Sequence, residues 1–79
     1  MDPTLREQID NIDDQLIRLF TERMNVAGKI AEYKKAHDIP VLDRKREDEK
    51  LRSVMDKTPD EFKEYSAQLY SMMFEFSRS

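Results

Sequence analysis

The feature that most constrains the fold is an apolar seam through the first part of the chain. Its residues recur in alternating steps of three and four, and no proline interrupts them before Pro40. This heptad-like spacing places them along one side of a helix. With Asp2 as N-cap and Pro3 at the first position, the sequence predicts one helix from about residue 3 to about residue 36, ended by "HDIP". The seam consists of Leu5, Ile9, Ile12, Leu16, Leu19, Val26 and Ile30.

The length of this helix predicts self-association. A helix of about 33 residues is roughly 50 Å long. A compact globule made from the 79 residues of the chain would be only about 30 Å across. The helix would extend beyond it, and part of the seam would stay uncovered. A second copy is the simplest cover, so we expect an intertwined homodimer.

The rest of the chain predicts a short and a medium helix. Asp43 can cap a helix that runs to about residue 57. In "TPDE", Thr58 fits the N-cap, Pro59 the first helical position and Glu61 the capping box of a third helix that reaches the chain end. With one glycine and three prolines, the chain is expected to be all-α, with a long, a short and a medium helix. Apolar residues at helical spacing on the third helix are Phe62, Tyr65, Leu69, Met72 or Met73, and Phe76.

Composition excludes several classes of protein. Charged residues make up 39% of the chain, yet the net charge is only −3, so acids and bases are interleaved and no basic face suits a nucleic acid. Cysteine is absent, which excludes disulfide and thiolate chemistry. No apolar run approaches the ~18 residues of a membrane span, and no signal-peptide pattern opens the chain. We therefore expect a cytoplasmic protein, and no residue pattern in the sequence resembles a zinc site.

Two basic residues interrupt the apolar side of the first helix. Arg23 fills the gap in the seam, and Lys34 follows it by eleven residues, which is three turns plus about 20°. Long basic side chains can bury their stems and keep their charged ends in water, so each alone has a purely structural interpretation.

A charged cluster in "DRKRE" gives these cations a possible partner. From Asp43, the residues Arg46, Glu47 and Lys50 share a helical face with the apolar side chains that follow, Leu51 and Val54. One interpretation is a capped helix start with an exposed ion-pair network. The other is a binding pocket, because charges that face a core must be paired or bind something. Arg23, Lys34 and Arg46 would then suit a small ligand with several negative charges, while Asp43 and Glu47 would accept hydrogen bonds from its hydroxyl groups.

Four motifs together resemble the all-helical (AroQ-class) chorismate mutase family, and the resemblance covers nearly the whole chain. They are "LRE" at 5–7, "ER" at 22–23, the lysine near the end of the first helix, and "P-V-x-D-x-x-R-E" at 40–47. The resemblance implies a long, a short and a medium helix, an intertwined homodimer, and rearrangement of chorismate to prephenate in phenylalanine and tyrosine biosynthesis (the shikimate pathway), without a cofactor.

The resemblance also implies roles for individual residues. Arg23, with Arg6 from the other subunit, would clamp the two carboxylates of chorismate, and Lys34 would hold its ether oxygen. Arg6 precedes Arg23 by seventeen residues, about 100° around the helix, so it should not serve the pocket of its own chain. Asp43 and Glu47 would orient the ring hydroxyl and nearby side chains. Arg46 would support the carboxylate site, and Ser77 matches a polar position on the third helix.

One departure from the family pattern leaves alternatives open. The family has a glutamine or glutamate one turn after the serine, at about position 81, beyond Ser79. Residues 1–79 are thus expected to be a single mutase-like domain, either excised from a longer or fused chain or weakly active. A related isochorismate-pyruvate lyase on the same scaffold and a non-catalytic helical dimerisation module are the competing hypotheses.

Overall fold

A computed structural model describes the backbone of residues 3–78 and the side chains of residues 3–77. The helices are α1 (Pro3–Ala36), α2 (Arg44–Lys57), a 3₁₀ turn (Asp60–Phe62) and α3 (Lys63–Arg78). No β-strand occurs among the described residues. The prediction of an all-α chain with a long, a short and a medium helix is therefore confirmed. Asp2, the predicted N-cap of α1, lies outside the described residues.

Two compact units divide the chain, Met1–Ile30 and Ala31–Ser79. In the described part of the first unit, α1 is continuous, as its proline-free sequence predicts, and none of its side chains is buried. The seven seam residues are each 50–56% exposed. The seam thus forms along α1 as predicted, and its side chains are at least half exposed.

The second unit is built around packing between α2 and α3, which form an antiparallel hairpin because only a few residues connect them. Met73 and Phe74, 7% and 8% exposed, are the buried hydrophobic residues of the described chain. The Thr58 hydroxyl links the two helices: it donates to the Val54 carbonyl within α2 at 2.7 Å, and its oxygen shares a second hydrogen bond with the Ser66 hydroxyl of α3 at 3.0 Å.

The predicted capping box of the third helix is wrong. Thr58 is the C-cap of α2, and the helical turn that follows starts as a 3₁₀ turn after Pro59, with no side-chain cap. The hydroxyl that would have capped this turn is used between the helices instead. Lys63 adds to the same junction, because its ammonium donates to the Met55 carbonyl and lies 3.6 Å from Asp60 Oδ1.

The apolar side of α3 read from the sequence is not the side that packs against α2. Met73 is buried, whereas Met72 is 54% exposed, which resolves the choice between the two methionines. The helix is apolar on two sides, and α2 covers only one of them. The second side, which we call the outer stripe of α3, is 48–68% exposed in the single chain. It consists of Tyr65, Leu69, Met72 and Phe76, and it includes Phe62 from the preceding 3₁₀ turn.

The end of α1 contains a left-handed residue. Asp38 has φ 55°, and the next amide, Ile39 N–H, donates to the Lys34 carbonyl at 2.8 Å. This is the closing bond of a Schellman-type helix end, where glycine is the preferred residue because it has no Cβ. The predicted end of the first helix is therefore confirmed, with an aspartate at the strained position.

Replacing Asp38 with glycine is expected to stabilise the protein by about 1 kcal/mol, because it removes the cost of a left-handed conformation in an L-residue. Thermal unfolding at one fixed chain concentration measures this as a higher midpoint. Asp48→Gly is the matched control, because Asp48 is exposed inside α2. There the same substitution should destabilise by about 1 kcal/mol. Equal shifts in both variants would contradict the helix-end argument.

Candidate functional site

The seven candidate residues from the sequence are divided between the two units. Arg6, which is exposed, and Arg23, which is half-buried, belong to Met1–Ile30. The other five belong to Ala31–Ser79, where their mutual geometry can be described. They are Lys34, Asp43, Arg46, Glu47 and Ser77.

Lys34 is held at both ends by the turn between α1 and α2. Its main-chain carbonyl accepts the Ile39 N–H, and its half-buried ammonium donates to the Val41 carbonyl at 3.5 Å. A neutral carbonyl orients an ammonium without neutralising it. Two N–H donors and the full positive charge therefore remain available for an anionic ligand.

Asp43 starts α2, as the sequence predicts. Its backbone is extended, with φ −128° and ψ 93°, and its Oδ1 accepts the Arg46 N–H at 3.0 Å. Both residues are exposed. Arg46 thus does not share the burial of the apolar side of α2 in the single chain, because it lies about 140° around the helix from Leu51. Its place in an inward-facing cationic set stays a prediction.

Glu47 and Ser77 come to the same level of the hairpin. The bond between Thr58 and Ser66 fixes the register, and Glu47 lies eleven residues before Thr58 while Ser77 lies eleven residues after Ser66. Antiparallel helices rise equally per residue, so the two side chains are level. Both are half-buried, and the Ser77 hydroxyl donates to the Met73 carbonyl at 2.8 Å. The hairpin therefore places two predicted site residues at the same level of its open end.

Lys50 also belongs to this end of the hairpin, although the sequence analysis assigns it no role. Among the ionisable side chains of α2, only Glu47 and Lys50 are half-buried, and the others are exposed. Lys50 lies eight residues before Thr58, and Phe74 lies eight residues after Ser66, so the bond between Thr58 and Ser66 places Lys50 and Phe74 at the same level. The position of Lys50, one turn after Glu47 on the apolar face of α2, was the feature of the sequence that could have identified it as a site residue.

Other kinds of site find no support in the described residues. Among them, no group of three His, Cys, Asp or Glu side chains could hold a metal ion. His37 instead stacks on Tyr33 with 4.1 Å between ring centroids, and its Nδ1 lies 2.8 Å from the Tyr33 carbonyl oxygen. Within residues 3–78, no helix is both long and apolar enough to cross a membrane.

Comparison with known proteins gives two matches. The sequence model of the family "Chorismate mutase type II" matches residues 5–79. A protein named chorismate mutase from Methanocaldococcus jannaschii is 40% identical over 43 residues, which cover 54% of this chain and 43% of that protein. The match therefore spans less than half of the length of this relative. No solved structure matches the chain.

Proposed function

The chain belongs to the chorismate mutase type II family, and we propose that it catalyses the rearrangement of chorismate to prephenate. The observation that carries the proposal is the family match, which extends over residues 5–79 and includes all seven candidate residues. In this proposal the chain acts in the cytoplasm, in the synthesis of phenylalanine and tyrosine. Residues 1–79 would form one catalytic domain.

The proposed substrate suits the charges of the candidate site. Chorismate carries two carboxylates, and guanidinium groups bind carboxylates in a bidentate manner. We assign this task to Arg23 and to Arg6 of the partner subunit, with Arg46 in support. Asp43, whose Oδ1 accepts the Arg46 N–H at the start of α2, and Glu47 would orient the ring hydroxyl and nearby side chains.

The reaction requires no base, nucleophile or cofactor. One C–O bond of chorismate breaks while one C–C bond forms, and no proton is transferred. The protein needs only to hold the compact conformer in which the two carbons meet and to stabilise charge on the ether oxygen. Lys34, with an oriented and un-neutralised ammonium, is suited to donate to that oxygen.

The test of the proposal is an assay of the purified chain with two substrates. Chorismate should be converted to prephenate, and isochorismate should release little pyruvate. The reverse result would replace the mutase with a lyase on the same scaffold. If a chain that is helical by circular dichroism forms no product from either substrate, the remaining hypothesis is a non-catalytic dimerisation module.

We also propose that the working unit is a homodimer. Two apolar surfaces support it: the seam of α1, with each residue at least half exposed, and the outer stripe of α3. The described chain buries only Met73 and Phe74 among its hydrophobic side chains. A core this small is far from offsetting the conformational entropy of 79 ordered residues, so a second copy must cover the remaining apolar surface.

Sedimentation equilibrium is expected to show two chains per particle, and dilution should convert dimer directly into unfolded chain. Leu16→Lys, in the middle of the seam, should abolish the dimer and the helical signal together. Thr21→Lys is the matched control, because Thr21 is exposed on the opposite side of α1 from the seam. A folded, helical monomer at micromolar concentration would contradict this architecture.

A further inference from the structure

Lys50 is a half-buried charged residue near the proposed site to which the proposed mechanism assigns no role. Lys50 is half-buried, and its ammonium forms no hydrogen bond or ion pair with the described part of the chain. Even Glu47, one turn away, is not within ion-pair distance of it. By contrast the half-buried Lys63 has both a carbonyl and a carboxylate partner. Where the stem of a lysine is partly buried and no protein anion pairs with its ammonium, a bound anion can supply the missing partner.

The position of Lys50 selects the kind of anion. It lies between Arg46 and Val54 on α2, one turn after Glu47, and it is level with the buried ring of Phe74. Its aliphatic stem can therefore rest on the apolar end of the hairpin. Since helical side chains tilt towards the helix N-terminus, its ammonium can extend towards the level of Glu47 and Ser77. A ligand that reaches Lys50 must have an apolar body and an anionic edge, which fits a cyclic dicarboxylate better than a phosphate or a polyanion.

We propose that Lys50 is a further substrate-binding residue, whose ammonium pairs with one carboxylate of chorismate. This inference rests on the proposed function. It adds a lysine from the middle of α2 to the arginines that the family resemblance assigns. Since the ammonium would contact a carboxylate that is present both before and after the rearrangement, Lys50 should contribute to binding of substrate and product alike and little to the rate of the chemical step.

Lys50→Met tests the proposal, because methionine keeps the length of the stem and removes the charge. We expect the KM for chorismate and the inhibition constant of prephenate to rise about 10-fold each, with kcat changed little. Lys50→Arg should restore most of the affinity. Lys45→Met is the matched control: it removes the same charge from an exposed position on the same helix, and both constants should stay within about twofold of wild type.

Thermal unfolding without ligand separates a binding role from a structural one. If Lys50 is kept for binding, Lys50→Met should raise the unfolding midpoint, because it removes a half-buried charge that has no partner within the described chain. Added prephenate should then stabilise the wild type more than the variant. A lower midpoint or a weakened dimer in Lys50→Met, with unchanged KM, would show that Lys50 pairs with the other subunit and would overturn the proposal.

The failure of this inference can be distinguished from the failure of the proposed function. An active wild type in which Lys50→Met behaves like Lys45→Met leaves the mutase assignment standing and refutes the role of Lys50. A wild type that neither converts chorismate nor binds prephenate by calorimetry refutes both. Increased KM in Lys45→Met as well would assign the effect to the overall charge of α2 and would also overturn a specific contact at Lys50.

Discussion

Replacing Lys34 with alanine is expected to lower the turnover of chorismate by at least about 100- to 1,000-fold, or ~3–4 kcal/mol of transition-state stabilisation. The physical reason is the charge that develops on one ether oxygen as its bond to carbon breaks. The Lys34 ammonium is half-buried and held by the neutral Val41 carbonyl, so its charge is oriented before the substrate arrives. The loss should fall on kcat more than on KM, because the contact strengthens mainly in the transition state.

Lys35→Ala is the matched control for this substitution. Lys35 is the next residue, is exposed and carries the same charge, so its removal should leave turnover close to that of the wild type. Circular dichroism and sedimentation must show that both variants remain folded dimers. Wild-type turnover in a folded Lys34→Ala dimer would remove Lys34 from the mechanism without touching the family assignment. A similar loss in Lys35→Ala would point to the general charge of the α1 end instead.

The helix boundaries were predictable where a local signal had no competitor. The Asp43 side chain accepts the amide three residues on, as an N-cap does, and the chain leaves α1 just before the proline in "HDIP". Thr58 illustrates the limit of such signals. Its hydroxyl could have capped the next helix, but it bonds the Val54 carbonyl of α2, and Ser66 comes within reach once α2 and α3 pack. That choice depends on tertiary structure and is not encoded locally.

The packing face of α3 was unpredictable for a different reason. The helix has apolar residues on two sides, and a periodicity argument cannot say which side meets α2 and which meets something else. Met73 and Phe74 are covered, whereas Leu69 and Met72 remain more than half exposed. The apolar surface of α3 is wider than α2 alone can cover. Such a surface is expected when a second copy of the chain packs against the same helix. The same exposed stripe therefore argues for the proposed dimer.

The sequence proposes the residues of the candidate site but does not predict how deeply each of them is buried. Sequence spacing placed Arg46, Glu47 and Lys50 on one side of α2, yet only the last two are half-buried. The difference depends on where α3 crosses the helix, which the register fixed by Thr58 and Ser66 determines. The same register places Ser77 level with Glu47, although the two are thirty residues apart in the sequence.

Mixing two inactive variants is expected to restore activity, because the proposed site takes Arg23 from one chain and Arg6 from the other. Arg6→Ala and Arg23→Ala should each be nearly inactive as homodimers, since each lacks a bidentate partner for a substrate carboxylate. After subunit exchange, half of the dimers are mixed, and each mixed dimer has one complete site out of two. The mixture should therefore reach about a quarter of wild-type activity.

A second mixture, in which activity should be lost rather than restored, serves as the control. When wild type is exchanged with the double variant Arg6→Ala/Arg23→Ala, every site in a mixed dimer lacks one arginine. Activity should then fall to about a quarter of the wild-type value, whereas it would be about half if each chain used its own two arginines. Arg18→Ala, an exposed cation on the same helix, should change neither result. If exchange is confirmed by mass-labelled chains and the first mixture stays inactive, Arg6 either acts within its own chain or has no role in the reaction.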